Sequence, residues 1–161
     1  TAMPRLITFT TDKQADLEAF FLTIRGNSEF PFEPEGFHAD LRHIPRVYQS
    51  KGGEFWLLVE EDKVIGTVGL RCLEPDVVEL KRMNILDEFQ GLGLGHLLMD
   101  RALKHAREQG FERMLLDSIR TKEPALHLYD KYGFTEIERY NDNPYADIFM
   151  ELDLNTEGKK I

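Results

Sequence analysis

The residues best suited to chemistry lie in a glycine-rich turn, Asp87–His96, which reads DEFQGLGLGH. Gly91, Gly93 and Gly95 stand at alternate positions, where they allow positive backbone φ angles and leave successive N–H groups unobstructed. A helical pattern follows directly, so these amides would lie at the positive end of a helix dipole. The turn therefore predicts a cradle for a diphosphate.

The spacing of this turn excludes two common phosphate sites. GxGxG differs from the GxGxxG of dinucleotide-binding folds, and neither GKS nor GKT follows it as in a Walker loop. A tight strand-to-helix turn whose glycines serve only packing would show the same pattern. The turn alone leaves both interpretations open.

The elements around the turn follow from hydrophobic patterning and turn signals. We expect a fold of the α/β class. Its strands would form one mixed (α+β) sheet that is twisted and mostly antiparallel, with helices on both faces. Residues 3–154 would form one domain, Asn155–Ile161 a flexible tail, and Val77–Ser118 a right-handed parallel crossover. The predicted elements are the strand Arg5–Phe9, a helix capped by Thr10, Thr11 or Asp12, a short helix Phe37–Arg46, a meander of the strands Phe55–Glu60, Lys63–Leu70 and Val77–Leu86, a helix from about Leu92 to Gln109, the strand Arg113–Ser118, a helix Pro124–Tyr132, and the strands Phe134–Arg139 and Ile148–Leu154.

Composition narrows the class of protein. The 161 residues suit one hydrophobic core, and 20 Lys and Arg against 29 Asp and Glu leave a net charge of -9. That excess of acid argues against nucleic acid or an anionic membrane as a partner. The single cysteine, Cys72, excludes an intramolecular disulfide and a cysteine-based zinc cluster. No apolar stretch approaches the about 20 residues of a membrane span, and Thr1–Phe9 has no signal-peptide core, so we expect a cytoplasmic protein. We also expect no bound metal.

A second motif accompanies the glycine turn. The turn follows a strand ending in RMNI at residues 82–85, and ALHLYDKYGF comes about thirty residues later, at 125–134. The pairing of a Q-x-x-G-x-G loop with an A-x-x-L-Y-x-K-x-G-F helix resembles the GCN5-related N-acetyltransferase (GNAT) family, over about residues 55–154. The resemblance implies the GNAT fold and acetyl-CoA as the acyl donor.

The resemblance also implies which residues meet the coenzyme. The amides of Gln90 through His96 would bind its diphosphate, and backbone groups of Met83 and Ile85 would pair with the pantetheine arm. Two positions depart from the family pattern, since Leu92 replaces a common basic residue and Lys122 a common asparagine. The full set implied at the coenzyme is Met83, Asn84, Ile85, Gln90, Gly91, Leu92, Gly93, Leu94, Gly95, His96, Lys122 and Lys131.

Two catalytic residues follow from the same resemblance. Tyr129 would protonate the departing thiolate, because its ordinary pKa near 10 is close to that of an alkyl thiol. Glu79 falls where some members carry a general base, acting directly or through water, and strand alternation would put it on one face with Lys81, Met83 and Ile85. The alternative roles are core packing for Tyr129 and a solvated strand start for Glu79. Weaker candidates for the base are Glu54, Glu60 and Asp117.

The acceptor is expected between the first two helices, Phe30–Arg46, and the segment 140–147 that joins the last two strands. The candidate substrate-binding residues are Phe32, Tyr140, Asn143 and Tyr145, although an ordinary Asx/Pro turn would explain the same segment. Residues 90–131 carry seven basic and six acidic side chains, whereas residues 132–153 carry one and six. This distribution favours a cationic amine.

Together these observations predict an acetyl-CoA-dependent N-acetyltransferase that acts on the primary amine of a small molecule, or of a peptide or protein. Direct transfer in a ternary complex is expected, because Cys72 is not placed to form an acyl-enzyme. The rival hypothesis is an acyl-CoA-binding module without catalysis, serving as a sensor or interaction domain. A monomer and a homodimer are equally compatible with the sequence.

Overall fold

The computed structural model describes residues 3–26 and 31–155, which fold around a seven-stranded sheet. Its order is β1-β2-β3-β4-β5-β7-β6, and every neighbouring pair is antiparallel except the parallel pair β4–β5. The predicted meander, crossover and mixed sheet are therefore confirmed. The strands are β1 (Arg5–Thr8), β2 (Glu54–Glu60), β3 (Lys63–Glu74), β4 (Val77–Ile85), β5 (Arg113–Ser118), β6 (Thr135–Ile137) and β7 (Ile148–Asp153).

The helices cover both faces of the sheet. They are α1 (Gln14–Arg25), α2 (Ile44–Val47), α3 (Leu94–Glu108) and α4 (Glu123–Lys131). Phe55 and Trp56 are successive residues of β2, so their side chains point to opposite faces. The ring of Phe55 lies 5.0 Å from that of Tyr48, directly after α2, and the ring of Trp56 lies 5.2 Å from that of His105 in α3. Hence α2 and α3 pack on opposite sides.

Several element bounds differ from those predicted. The predicted second helix, Phe37–Arg46, is wrong: a 3-10 turn at Ala39–Arg42 precedes the four-residue α2, because Pro45 has no N–H to bond the carbonyl group of Leu41 and therefore lies in the first turn of a new helix. The third helix begins at Leu94, after the left-handed Gly93, and not at Leu92. Strand β3 runs on to Glu74, whereas β6 is only three residues long. Of the expected tail only Asn155 lies within the described residues.

Strand β4 changes its partner part of the way along. It pairs with β5 only through Val77, Val78 and Glu79, after which the two strands diverge. Its register with β3 shifts between Thr67 and Gly69, and the bulge contains Arg82 with φ +55°. The predicted alternation of β4 therefore holds only up to the bulge, because an extra residue there reverses the faces of those that follow.

No helix within 3–26 or 31–155 is both long and apolar enough to cross a membrane.

The start of β2 depends on a close backbone approach at Gly53. A Cβ atom at this position would lie 2.2 Å from the carbonyl oxygen of Tyr48 and 2.3 Å from that of Leu70. Both neighbours are backbone atoms, which cannot rotate away as a side chain does. The residue directly before β2 can therefore fit between Tyr48 and β3 only if it has no side chain.

We expect Gly53→Ala to lower the free energy of unfolding by roughly 1–3 kcal/mol or more, because the added methyl overpacks a rigid backbone contact. Urea denaturation measures this change. Gly36→Ala is the control, since its new Cβ would come no closer than 3.6 Å to a neighbour, and its effect should stay within about 0.5 kcal/mol. Equal effects of the two substitutions would contradict the close approach.

Candidate active site

The three glycines of the glycine turn have two different roles. Gly91 and Gly93 adopt φ +79° and +81°, and a Cβ at either would meet no atom of the described residues within 4 Å. A Cβ at Gly95 would lie 3.2 Å from Cδ2 of Leu128, so this glycine allows α3 to pack closely on α4. The first turn of α3 contains no acidic side chain to occupy its positive end. Two glycines thus leave open space at the start of α3, and one serves packing.

A cleft of about 790 Å³ begins at this turn and runs along the second half of β4 to the ends of α1 and α4. Eleven of the twelve residues that the sequence predicts at the coenzyme line it. Leu92 is the exception: it is 66% exposed and does not line the cleft. The volume suits a cofactor-sized ligand. We call this space the large cleft.

A second space of about 290 Å³ lies where β4 and β5 diverge. Its walls come from β4, the end of β5, the loop 31–38 and the segment 143–146. We call it the small cavity. It meets the large cleft along a junction, the set of residues that line both spaces: Arg25, Met83, Asn84, Lys122, Ala125 and Tyr129.

Tyr129 lies at this junction and is nearly enclosed. Its ring is 6% exposed and packs 5.8 Å from that of Phe134. Burial raises the pKa of Tyr129 to about 12, with a contribution from the negative charge of Asp117. The hydroxyl therefore stays protonated at neutral pH, at the point where ligands of the two spaces would meet.

Glu79 lies outside both spaces. It is fully buried, and it accepts hydrogen bonds from Arg71 at 2.6 Å and from the hydroxyl of Tyr140 at 2.5 Å. Lys81 Nζ lies 3.8 Å from its second oxygen. Burial and the charge of Glu79 raise the pKa of Tyr140 above its ordinary value. Glu79 and Tyr140 therefore belong to a buried network behind the cavity wall.

Besides the exposed Glu33 of the loop 31–38, the carboxylate residue that lines the small cavity is Asp117, at the end of β5. It accepts hydrogen bonds from Asn141 at 2.7 Å and from Asn143 at 3.4 Å, and Lys81 Nζ lies 3.5 Å away. Lys81 thus stands between Glu79 and Asp117. The network extends from the buried carboxylate to one that a ligand can contact.

The predicted acceptor residues separate into two groups. Asn143 and Tyr145 line the small cavity, whereas Phe32 packs against Phe21, with ring centroids 6.2 Å apart. Phe37, which the sequence did not single out, lines the cavity and contacts Tyr145 at 4.8 Å. The sequence predicted Phe37 as the first residue of a short helix, whereas the structure places both phenylalanines in the loop 31–38. Phe30 lies outside the described residues.

An ion pair that the sequence did not predict anchors the bulge of β4. Arg82 donates two hydrogen bonds to Asp40, at 2.6 and 3.0 Å, and Tyr48 donates a third at 2.5 Å. Burial acts to raise the pKa of Asp40, but Arg82 and the Tyr48 hydroxyl outweigh it and lower that pKa. Because Asp40 is far from β4 in sequence, no spacing reveals the pair.

Within residues 3–26 and 31–155, no group of three or more His, Cys, Asp or Glu side chains is arranged to hold a metal ion.

Known proteins share this fold and sequence pattern. The model of the acetyltransferase (GNAT) family matches residues 17–134. The uncharacterized N-acetyltransferase YjgM of Escherichia coli K12 is 33% identical over 102 residues, which cover 62% of this chain and 61% of that protein. N-acetylaspartate synthetase of Rattus norvegicus is 33% identical over 99 residues, which cover 60% of this chain and 33% of that protein. The chain thus spans less than two thirds of the length of these curated relatives.

Two solved structures illustrate the likeness in fold. A GNAT-family acetyltransferase from Staphylococcus aureus Mu50 has a TM-score of 0.86 and 25% identity, covering 95% of this chain and 100% of that one. The PaiA N-acetyltransferase of Thermoplasma acidophilum, solved with coenzyme A, has a TM-score of 0.71 and 17% identity, covering 94% and 99%.

We expect Asp40→Asn to lower the free energy of unfolding by roughly 2–4 kcal/mol at pH 7, because it leaves the buried Arg82 without a counter-charge. The pKa of Asp40 is lowered by folding, so its stabilisation is present above the ordinary value of 3.8 and is lost as the pH falls through the folded value. The difference between wild type and variant should therefore shrink below about pH 4.

Denaturant titrations at several pH values measure this difference. Asp62→Asn, in the exposed turn between β2 and β3, is the control and should change stability little at any pH. A deficit of Asp40→Asn that persists undiminished at pH 3 would show that the carboxylate charge is not what stabilises the bulge.

Proposed function

Because the chain belongs to the acetyltransferase (GNAT) family, we propose that it transfers the acetyl group of acetyl-CoA directly to the primary amine of a small molecule. The observation that carries this proposal is the junction at Tyr129 between the large cleft and the small cavity. A donor in one space and an acceptor in the other would meet there without a covalent enzyme intermediate. Cys72 lines neither space.

The large cleft fits the donor. The backbone amides that follow Gly91 and Gly93, together with the positive end of α3, offer hydrogen bonds and charge to a diphosphate. Lys131 lines the same cleft and supplies a cation. Beyond Glu79, the edge of β4 that faces β5 is released from the ladder, so its backbone groups are available to an extended amide-containing arm.

The small cavity supports a small acceptor. Its volume of about 290 Å³ lies at the lower end for ligand pockets, and Phe37 and Tyr145 restrict it from one side. The name N-acetylaspartate synthetase, carried by several relatives, denotes an N-acetylated amino acid as product. We therefore favour small amines over peptides and proteins as the acceptor.

Tyr129 is the proposed acid. In acyl transfer from a thioester, the departing thiolate needs a proton and the developing oxyanion needs a hydrogen-bond donor. Backbone N–H groups of β4 near Met83 can supply the donor. Tyr129, with a pKa of about 12, holds its proton until the thiolate forms, and the same enclosed surroundings raise the pKa of the departing thiol toward that of the tyrosine.

The remaining role is to remove a proton from the attacking amine, and it involves both Asp117 and Glu79. We propose that Asp117, which faces the small cavity, takes the proton from the amine directly or through water. Glu79 then acts as a positioning residue: it bonds Tyr140 and lies near Lys81, which in turn lies against Asp117. The carboxylate predicted from the sequence thus acts through its neighbours.

Thiol release from acetyl-CoA with a panel of amines tests the proposed function. We expect turnover with at least one small primary amine, and a fall in kcat of roughly 10- to 1,000-fold in Tyr129→Phe with acetyl-CoA affinity kept within about twofold. Tyr132→Phe is the matched control, because Tyr132 lines neither space. Its hydroxyl donates to Asp100 at 2.6 Å and lies 3.1 Å from Nδ1 of His96, which lines the large cleft, so the Kd for acetyl-CoA of this variant is measured beside its kcat. Tight coenzyme binding with no turnover on any amine would favour the rival binding module.

The pH profile adds a second readout for Tyr129. Because its pKa is about 12, the wild type should show no loss of kcat from this residue up to about pH 10. An alkaline limb with a lower pKa that disappears in Tyr129→Phe would contradict the protonated, enclosed hydroxyl.

The two carboxylates can be separated by substitution. We expect Asp117→Asn to lower kcat/KM roughly 100-fold at pH 7, and less at high pH, where more of the amine is neutral without a base. Glu79→Gln should lower stability, since it leaves Arg71 without its partner, and should affect the rate less. A folded Glu79→Gln variant that loses more activity than Asp117→Asn would return the role of base to Glu79.

A further inference from the structure

Two of the cations in the wall of the small cavity have no ion-pair partner among the described residues, and Glu33, which also lines the cavity, is exposed to solvent and forms no ion pair within 3–26 or 31–155. Of the four Lys and Arg side chains in its wall, Lys81 lies 3.5 Å from Asp117, and Arg82 is paired with Asp40. Arg25 and Lys122 form no ion pair with any residue in 3–26 or 31–155. The Nε atom of Arg25 is buried, and no described residue accepts a hydrogen bond from it.

These two cations lie close enough to affect each other. Burial lowers the pKa of Lys122, and the charges of Arg25 and Arg82 lower it further. Burial and the charge of Arg82 likewise lower the pKa of Arg25. Arg25 is half-buried and Lys122 is exposed over part of its surface, so water screens part of the repulsion between them, and an anion that contacts both would relieve the rest.

Arg25 and Lys122 both belong to the junction, beside Tyr129. The charged groups of the donor are its diphosphate and the 3′-phosphate of its ribose, and both are separated from the thioester by the uncharged pantetheine arm. The diphosphate has its own amides at the glycine turn and Lys131, which lines the large cleft only. The anion that fits the junction cations must therefore come from the acceptor. It must also lie near the reacting nitrogen, because Tyr129 marks the reacting position.

We propose that Arg25 and Lys122 bind a carboxylate carried by the acceptor, which is an α-amino acid or a similar amine with its carboxylate a few bonds from the nitrogen. This inference rests on the proposed acetyl transfer. A guanidinium pairs with a carboxylate through two parallel hydrogen bonds, which also orients the acceptor. Asp117, on the β5 side of the same cavity, is placed to attract the ammonium of a zwitterion before it loses its proton.

This proposal replaces the cationic amine that the sequence favoured. The acidic residues counted in the acceptor region are largely engaged within the protein. Glu136 is paired with Arg120 and Glu151 with Arg113, while Asp147 accepts a hydrogen bond from the backbone N–H of Arg120. The acidic segment 132–153 therefore adds little free negative charge to the cavity, whose wall holds the two cations Arg25 and Lys122 without an ion-pair partner among the described residues and the exposed Glu33.

Pairs of acceptors that differ only in the carboxylate test the inference. Glycine, L-leucine and L-aspartate are compared with their α-carboxamides, and 6-aminohexanoate and a diamine complete the panel. We expect kcat/KM for at least one α-amino acid to exceed that for its amide at least tenfold. Amine basicity acts in the opposite direction, because the carboxylate favours the protonated amine. The distal carboxylate and the diamine should be poor acceptors.

Substitution of the cations provides the second readout. In Arg25→Met and Lys122→Met the ratio of acid to amide should fall to within about threefold, mainly through KM for the acid, while the Kd for acetyl-CoA changes less than twofold. Lys104→Met, on the exposed side of α3, is the matched control and should keep the wild-type ratio. An unchanged Kd for acetyl-CoA also shows that the variants are folded.

Three results would overturn the inference. They are a wild-type ratio near one, a preference for the diamine, and a loss of acetyl-CoA affinity in Arg25→Met and Lys122→Met that matches the loss in KM, which would assign the cations to the donor. If no amine supports thiol release, the proposed function fails separately. Calorimetric titration of the same acid and amide pairs into the coenzyme-bound protein then still tests the carboxylate site, and equal binding of acid and amide would exclude it.

Discussion

The site depends on the divergence of β4 from β5. Two parallel strands that separate lose the hydrogen bonds between them, and exposed backbone groups must be satisfied in another way. Here the separation begins directly after Glu79, while β4 stays paired with β3 on its other side. Lys81 reaches across the opening to Asp117, and Arg82 ties the bulge to Asp40 outside the sheet. The opening is thus held by charge pairs where the ladder has ended.

The same arrangement explains why the two spaces meet at one place. The large cleft follows the free edge of β4 toward the glycine turn, and the small cavity opens toward β5 and the segment 143–146. Residues near the bulge, Met83 and Asn84, border both spaces. A bulge rotates the strand locally, so consecutive residues can face different ligands. A regular β4 paired along its whole length would leave neither space.

The order of strands and helices could be predicted well from the sequence, because local patterns specify it. Alternating strands, a two-residue turn at Glu61-Asp62 and a long amphipathic helix led to the meander and the crossover, and the glycine turn led to the large cleft. The predictions from the sequence were less accurate where residues that are distant in the sequence meet in the structure. The partners of Arg82 and Tyr140 lie some 40 and 60 positions away. Phe32, which was expected at the acceptor, packs against Phe21, and Phe37, for which no role was expected, contacts Tyr145 at the cavity. The alternation rule assigned Glu79 to one face of the sheet, but it could not give the depth at which Glu79 is buried.

Charge shows the same difference between local and spatial information. A net charge of -9 and an acidic C-terminal third describe a chain, whereas a ligand experiences only the charges left unpaired around it. Buried carboxylates are stable when they are paired, so the acid buried behind the cavity wall, Glu79, is neutralised by Arg71. The cations without such partners, Arg25 and Lys122, come from α1 and from the residue before α4, which no segmental count groups together. The sign of the charge that a ligand meets in a binding cavity therefore follows from which side chains around the cavity are paired, and not from the composition of the protein.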